Sequence, residues 1–241
     1  MDRTSQLIAA ARRLSRDVSR LEFGPPVAYV YNPLAYAWKA HAQYLEMAPK
    51  KRTRVLFLGM NPGPWGMAQT GVPFGQVAAV RDWMRIDAAV DRPANEHPKR
   101  PVEGLACQRS EVSGERLWGL FAERFKTSKA FFQNHFVANY CPLVFMEESS
   151  RNRTPDKLPA KERAALDAAC DAHLSQVLQI LAPEWAIGVG VYAEQCLRRA
   201  AGENRLQITR ILHPSPASPA ANRGWAAAAT KQLVEAGVWK D

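Results

Sequence analysis

The sequence predicts an α/β fold: one domain, spanning residues 1–241, with a central, parallel-rich four-stranded sheet and helices on both faces. Three observations predict it. Short runs rich in β-branched and aromatic residues alternate with stretches of helical periodicity, the pattern of parallel strands joined by crossover helices. At 241 residues and 47% hydrophobic composition, the chain can bury one sizeable core. No internal repeat divides it.

The elements follow in order. From Ser5 to Leu21, Leu7, Ile8, Ala11, Leu14, Val18 and Leu21 share one helical face, with Arg12, Arg13, Arg16 and Arg20 mostly opposite, which predicts an amphipathic surface helix. A second helix is expected from Tyr36 to Met47. Lys50, Lys51, Arg52 and Arg54 then form a solvated basic run leading into a strand from Val55 to Leu58. Further strands are expected in "FVANYCPLVF" from Phe136, "AIGVGVY" from Ala186 and "LQITRIL" from Leu206. Helical patterns run from Glu115 to Phe125, Ala160 to Leu181, Ala193 to Ala201 and Asn222 to Ala236. The segment from Ser149 to Arg163 reads as a basic loop ending in a helix start, with Pro159 near the first turn.

Composition narrows the functional classes. Lys and Arg outnumber Asp and Glu by 32 to 23, a net charge of +9, which suits a polyanionic partner such as nucleic acid or an acidic membrane surface. No run of apolar residues is long enough for a membrane span, and the N-terminus lacks the hydrophobic core of a signal peptide, so a cytoplasmic protein is expected. The four cysteines, Cys107, Cys141, Cys170 and Cys196, form no Cys-x-x-Cys pair and read as core thiols rather than metal ligands.

Two loops carry the conspicuous chemistry. "VLFLGMNPGPWGMAQTGVPFG", from Val55 to Gly75, runs a strand into glycines, prolines and one fixed amide, Asn61. It matches neither the dinucleotide nor the nucleoside-triphosphate phosphate motif. Glycines allow close approach and prolines stiffen the loop, which suits a rigid pocket wall against a flat ligand. "ILHPSPASPAANRGW", from Ile211 to Trp225, places His213 after the last strand and then three prolines in six residues. Taken alone, His213 reads as a structural hydrogen-bonding residue. In an open α/β sheet, ligands bind at the carboxyl ends of strands, so Asn61, Asn139 and His213 are expected to share one rim.

"GMNPGPWGMAQTGVPFG" and "HPSPASPAANRGW" together resemble the two signature motifs of the single-strand-selective monofunctional uracil-DNA glycosylases, within the uracil-DNA glycosylase superfamily. The similarity extends through "VRDWM", "RSEVSGERLWG", "VANYCPL" and "RNRTPDKLPAKER", covering most of the chain from about residue 25. It implies a uracil-DNA glycosylase-like fold, a DNA partner, single- or double-stranded and carrying a damaged base, no cofactor and no metal; a monomer is expected, cytoplasmic in a bacterium or nuclear in a eukaryote.

The resemblance also implies roles. Asn61 positions water, and His213 donates a hydrogen bond to the base O2. Met60, Gly63, Met67, Phe74 and Asn139 bind the extruded base: Phe74 stacks on it, and Asn139 accepts from N3–H and donates to O4, a pattern cytosine reverses. Gly63 stands where the classical enzymes carry a Tyr that would crowd the C5 substituent, so 5-hydroxymethyluracil is expected to fit. Arg151, Arg153, Lys157, Lys161, Ser215, Ala217 and Ser218 contact DNA. The family carries Arg and Asn where this chain has Ala217 and Ser218, a smaller wedge for entering a duplex. No Lys lies in either motif, so Schiff-base chemistry and strand cleavage are not expected. A glycosylase for xanthine or hypoxanthine, a non-catalytic nucleic-acid-binding protein of the same fold and a small-nucleotide hydrolase stay open as alternatives.

Overall fold

A computed structural model describes residues 1–202 and 206–240. Its strands are β1 (Tyr29–Tyr31), β2 (Val55–Gly59), β3 (His135–Asn139), β4 (Val144–Met146), β5 (Asn152–Arg153), β6 (Trp185–Val189) and β7 (Gln207–Ile211). The helices are α1 (Arg3–Val18), α2 (Pro33–Tyr36), α3 (Trp38–Glu46), α4 (Met67–Thr70), α5 (Val112–Phe125), α6 (Ser128–Phe132), α7 (Ala160–Leu181), α8 (Val191–Ala201), α9 (Pro219–Asn222) and α10 (Trp225–Glu235).

The main sheet has the order β3-β2-β6-β7, and every neighbouring pair is parallel. Period-two alternation makes it two-faced. Phe57 on β2 packs against Phe121 of α5, 4.8 Å between ring centroids. Phe136, one register step away on β3, stacks at 5.0 Å on Tyr44 of α3, from the opposite face. β2 is buried along its whole length, as a central strand between two helical layers must be. All four cysteines are buried free thiols.

Three expectations are corrected. The run from Phe136 is not one strand: Pro142 has no N–H to give to a ladder, the chain leaves the main sheet after Asn139, and β4 pairs antiparallel with β1 and β5 in a small second sheet. The expected helix from Tyr36 splits into α2 and α3 at Ala37. The stretch from Asn222 also splits, because Gly224 adopts a φ of 116° before α10 begins. Residues Ala79–Trp83, overlapping the "VRDWM" stretch, form a π-helical turn that periodicity does not reveal.

Strand order positions the site. The chain passes from β2 to β3 on one side, whereas β6 continues to β7 on the other, so the loops beyond β2 and β6 diverge and leave a crevice at the carboxyl rim. No described helix is long and apolar enough to cross a membrane.

Candidate active site

Gly59 and Asn139 end their strands as register partners. No side chain fits at Gly59: an added Cβ would overlap both the Asn139 Oδ1 and the Phe74 ring. The amide and the ring therefore meet across bare backbone, at the slot expected for the base. Asn139 Nδ2 donates to Met67 Sδ at 3.3 Å, and its buried Oδ1 has no hydrogen-bond partner among the described residues. A thioether is a weak acceptor, so the amide's stronger hydrogen-bonding capacity is uncommitted among the described residues.

Phe74 has a φ of 54°, a left-handed backbone that disfavours bulky residues and persists only when its surroundings over-determine it. They do. Thr70 Oγ1 donates to Gly75 O at 2.9 Å and accepts from Val72 N–H at 3.2 Å. Trp118 Nε1 donates to Pro73 O at 3.1 Å, and Gly114 on α5 lies so close to Phe74 O that a Cβ there would overlap it.

The second loop brings His213 to the same slot, its ring centroid 6.2 Å from that of Phe74. Ser215 N–H donates to His213 Nδ1 at 3.1 Å. That bond makes Nδ1 the acceptor, so the neutral ring carries its proton on Nε2. Burial holds the imidazole below its ordinary range, which keeps it neutral near pH 7. Asn61, in the first loop, donates from Nδ2 to Leu143 O at 3.2 Å and to Pro62 O at 3.3 Å. Its Oδ1 is left as a free acceptor.

Gly63 is not bordered by open space. A Cβ there would come within 2.5 Å of Glu111 Oε2, and one at Gly66 would overlap the same carboxyl. Glu111 precedes α5 without capping it; although its stem is partly exposed, Oε2 is fully enclosed and unpartnered. Burial raises the carboxyl to about 7. The direction a side chain would take from position 63 is thus occupied by a carboxyl from the residue before α5.

A model of the uracil DNA glycosylase superfamily matches residues 46–235. The chain is 51% identical over 228 residues to the single-strand selective monofunctional uracil-DNA glycosylase of Rattus norvegicus, covering 94% of this chain and 82% of that one. It is 50% identical over the same span to the Mus musculus protein, with the same coverage. This chain belongs to the single-strand-selective monofunctional uracil-DNA glycosylases. The crystal structure of Pedobacter heparinus SMUG2 shares the fold, with a TM-score of 0.67 over 98% of this chain and 97% of that one at 17% identity.

In this member of the family the residues expected at DNA divide into two groups. Arg151 and Lys161 are exposed and make no ion pair among the described residues. Arg153, by contrast, pairs with Glu147 at 2.6 Å and donates to Lys157 O, while Lys157 lies 3.3 Å from Asp156. Ser215 Oγ accepts from Ala217 N–H, and Ser218 caps α9 by accepting from Ala221 N–H. Ala217 stands exposed at the tip. Met60 extends the β2–β3 ladder, its carbonyl accepting from Cys141 N–H at 2.9 Å.

Sequence reasoning missed the residues that hold the two loops together. Arg116 on α5 donates to Pro214 O at 3.1 Å and to Asn222 Oδ1 at 2.9 Å, and Asn222 Nδ2 donates to Pro216 O. Glu111, Gly114 and Arg116 thus tie the first loop, Phe74 and the second loop to one helical turn. Their "RSEVSGERLWG" stretch carries one local hint: a Glu stands at an N-cap position, where short polar side chains are preferred.

Proposed function

We propose that the protein is a monofunctional DNA glycosylase that hydrolyses the N-glycosidic bond of uracil and related bases, 5-hydroxymethyluracil included. It leaves an abasic site without cutting the strand. The observation that supports this reading is the orientation of two polar side chains: Asn61 Oδ1 and His213 Nε2–H have no partner among the described residues, and His213 lies against the Phe74 ring that meets Asn139 at Gly59.

Bond cleavage leaves positive charge on the sugar and negative charge on the departing base, so catalysis is electrostatic. A neutral His213 donates from Nε2 to O2 as the charge develops there. Its hydrogen bond from Ser215 holds the ring in that tautomer and spares any reorganisation during the reaction. Asn61 Oδ1 accepts from a water and aims it at the sugar carbon; an amide does not ionise near neutrality, so it orients the water rather than deprotonating it. Phe74 stacks on the base. Asn139 Oδ1 accepts from N3–H, and Nδ2 exchanges its weak thioether contact for O4.

The bond attacked lies hidden in stacked DNA, so the nucleotide must come from a single strand or be extruded. Ala217 is small and Ser218 is committed to a helix cap, so the tip has little to drive into a duplex. Single strands are the preferred substrate in this reading. The enzyme works as a monomer in the compartment that holds the DNA, the cytoplasm in a bacterium or the nucleus in a eukaryote.

Labelled single-stranded and duplex oligonucleotides carrying uracil, 5-hydroxymethyluracil, xanthine or hypoxanthine test the reading directly. Breaks at uracil and 5-hydroxymethyluracil that appear only after alkali are the expected result. Retarded migration with no alkali-labile site in any substrate would mean binding without catalysis and would overturn it.

A further inference from the structure

Trp65 sits at the outer turn of the first loop, between Gly63 and Gly66, and two guanidinium groups lie over its ring: Arg109 at 4.5 Å and Arg100 at 4.9 Å from the centroid. The arginines come from a different part of the chain, just before α5. Neither has a carboxylate within ion-pairing distance among the described residues. Arg100 makes one long side-chain bond, from Nη2 to Ser150 O at 3.5 Å, and its buried Nε has no partner. Arg109 is exposed, and its guanidinium donates to no described residue.

Two like charges gathered over one ring without a counter-ion are an unusual arrangement. An aromatic face attracts each cation weakly and fixes its position, but it does not cancel the repulsion between them. An anion would. Arg100 also reaches Ser150, the neighbour of Arg151 at the start of the basic segment, so that segment adjoins the guanidinium groups over Trp65. Trp65 itself belongs to the loop that carries Asn61 and Phe74. The cations expected at DNA in the basic segment, Arg153 and Lys157, are already paired with carboxylates.

We propose that Arg100 and Arg109, held by Trp65, form a phosphate clamp for the single-stranded DNA that flanks the nucleotide in the slot. The proposal rests on the glycosylase reading for its ligand, and on the geometry above for its site. Guanidinium groups suit the task because each offers a planar fork of donors to phosphate oxygens. The clamp carries no base preference, since it meets the backbone alone.

The test is a fluorescence titration with an oligothymidylate of about 15 nucleotides, long enough to cross such a groove, repeated across salt concentrations. Removing two phosphate contacts from a single strand is expected to lower the slope of log affinity against log salt by about 1.4. R100A/R109A should also bind roughly a hundredfold more weakly at low salt, about tenfold for each charge-assisted contact. Single-turnover excision of uracil at saturating enzyme should stay within about twofold of the parent, because neither arginine touches the slot. R100K/R109K keeps both charges and should keep the slope. An unchanged slope in R100A/R109A would overturn the proposal. So would a lysine pair that loses the slope as fully as the alanine pair, since that would assign the arginines to packing on Trp65. If the parent protein excised no uracil, the glycosylase reading would fall, while the oligothymidylate slope would still decide the clamp.

Discussion

The two loops that build the slot are made in opposite ways. From Gly66 to Gly75 every residue of the first loop is buried, and its turns are closed by Thr70, Gln69, Trp118 and the Glu111 carboxyl. Within the second loop, Pro216, Ala217, Pro219 and Ala220 are exposed, and the loop is held mainly by Arg116, Asn222 and the Ser218 cap. The difference assigns the tasks. In the proposed reading the first loop, which brings Asn61 and Phe74 to the base, is preorganised and carries a strained Phe74, whereas the second loop beyond His213 has little buried contact to resist adjustment against a DNA strand.

If that contrast holds, the sharpest way to break the first loop is at its most crowded point. Gly59→Ala places a methyl group where Asn139 and Phe74 already meet, so it is expected to lower single-turnover excision by more than about a hundredfold. A change in the exposed second loop, such as Ala217→Gly, should leave the chemical step nearly untouched. Equal losses from the two would erase the distinction.

A smaller effect isolates the brace beneath the first loop. Because burial lifts Glu111 from 4.5 to about 7, the folded chain holds a proton between those pH values that the unfolded chain has released. Stability therefore falls as pH rises through this window and levels off above it, by about 3 kcal/mol in all. The buried histidines act in the other direction. Burial lowers His41 and His173 to about 4 and His135 to about 3, so below pH 6.5 the unfolded chain gains protons the folded one refuses, and stability is lost as pH falls. Glu111→Gln keeps the shape and cannot ionise. Thermal unfolding should show its advantage over the parent growing from pH 4.5 to about 7; a difference that does not vary with pH would remove Glu111 from that role.

The smallest effect belongs to the second loop's anchor. Arg116→Ala frees Pro214 O and Asn222, and about a tenfold loss in excision rate is expected from the loosened His213, with Arg116→Lys recovering part of it. An intact rate in Arg116→Ala would show that the loop needs no tether.

Much of this was legible in the sequence, and for a common reason. The four main strands, α7 and the residues Asn61, Phe74, Asn139 and His213 are encoded locally, in apolar runs and in two motifs at strand ends. What escaped depends on tertiary proximity. Glu111 fills space beside Gly63 although it lies far along the chain, and no local pattern joins Arg100 and Arg109 to Trp65. β4 was hidden because it follows β3 directly, and only the proline between them shows the chain leaving one sheet for another.

The central claim is that Asn61 and His213 act on one base from two separate loops. Single-turnover formation of abasic sites in a uracil-containing single strand, measured for the parent, Asn61→Ala and His213→Ala, tests it most directly. Each variant is predicted to fall by at least about two decades, the loss of one oriented transition-state contact. Parent-like rates in either variant would contradict the claim.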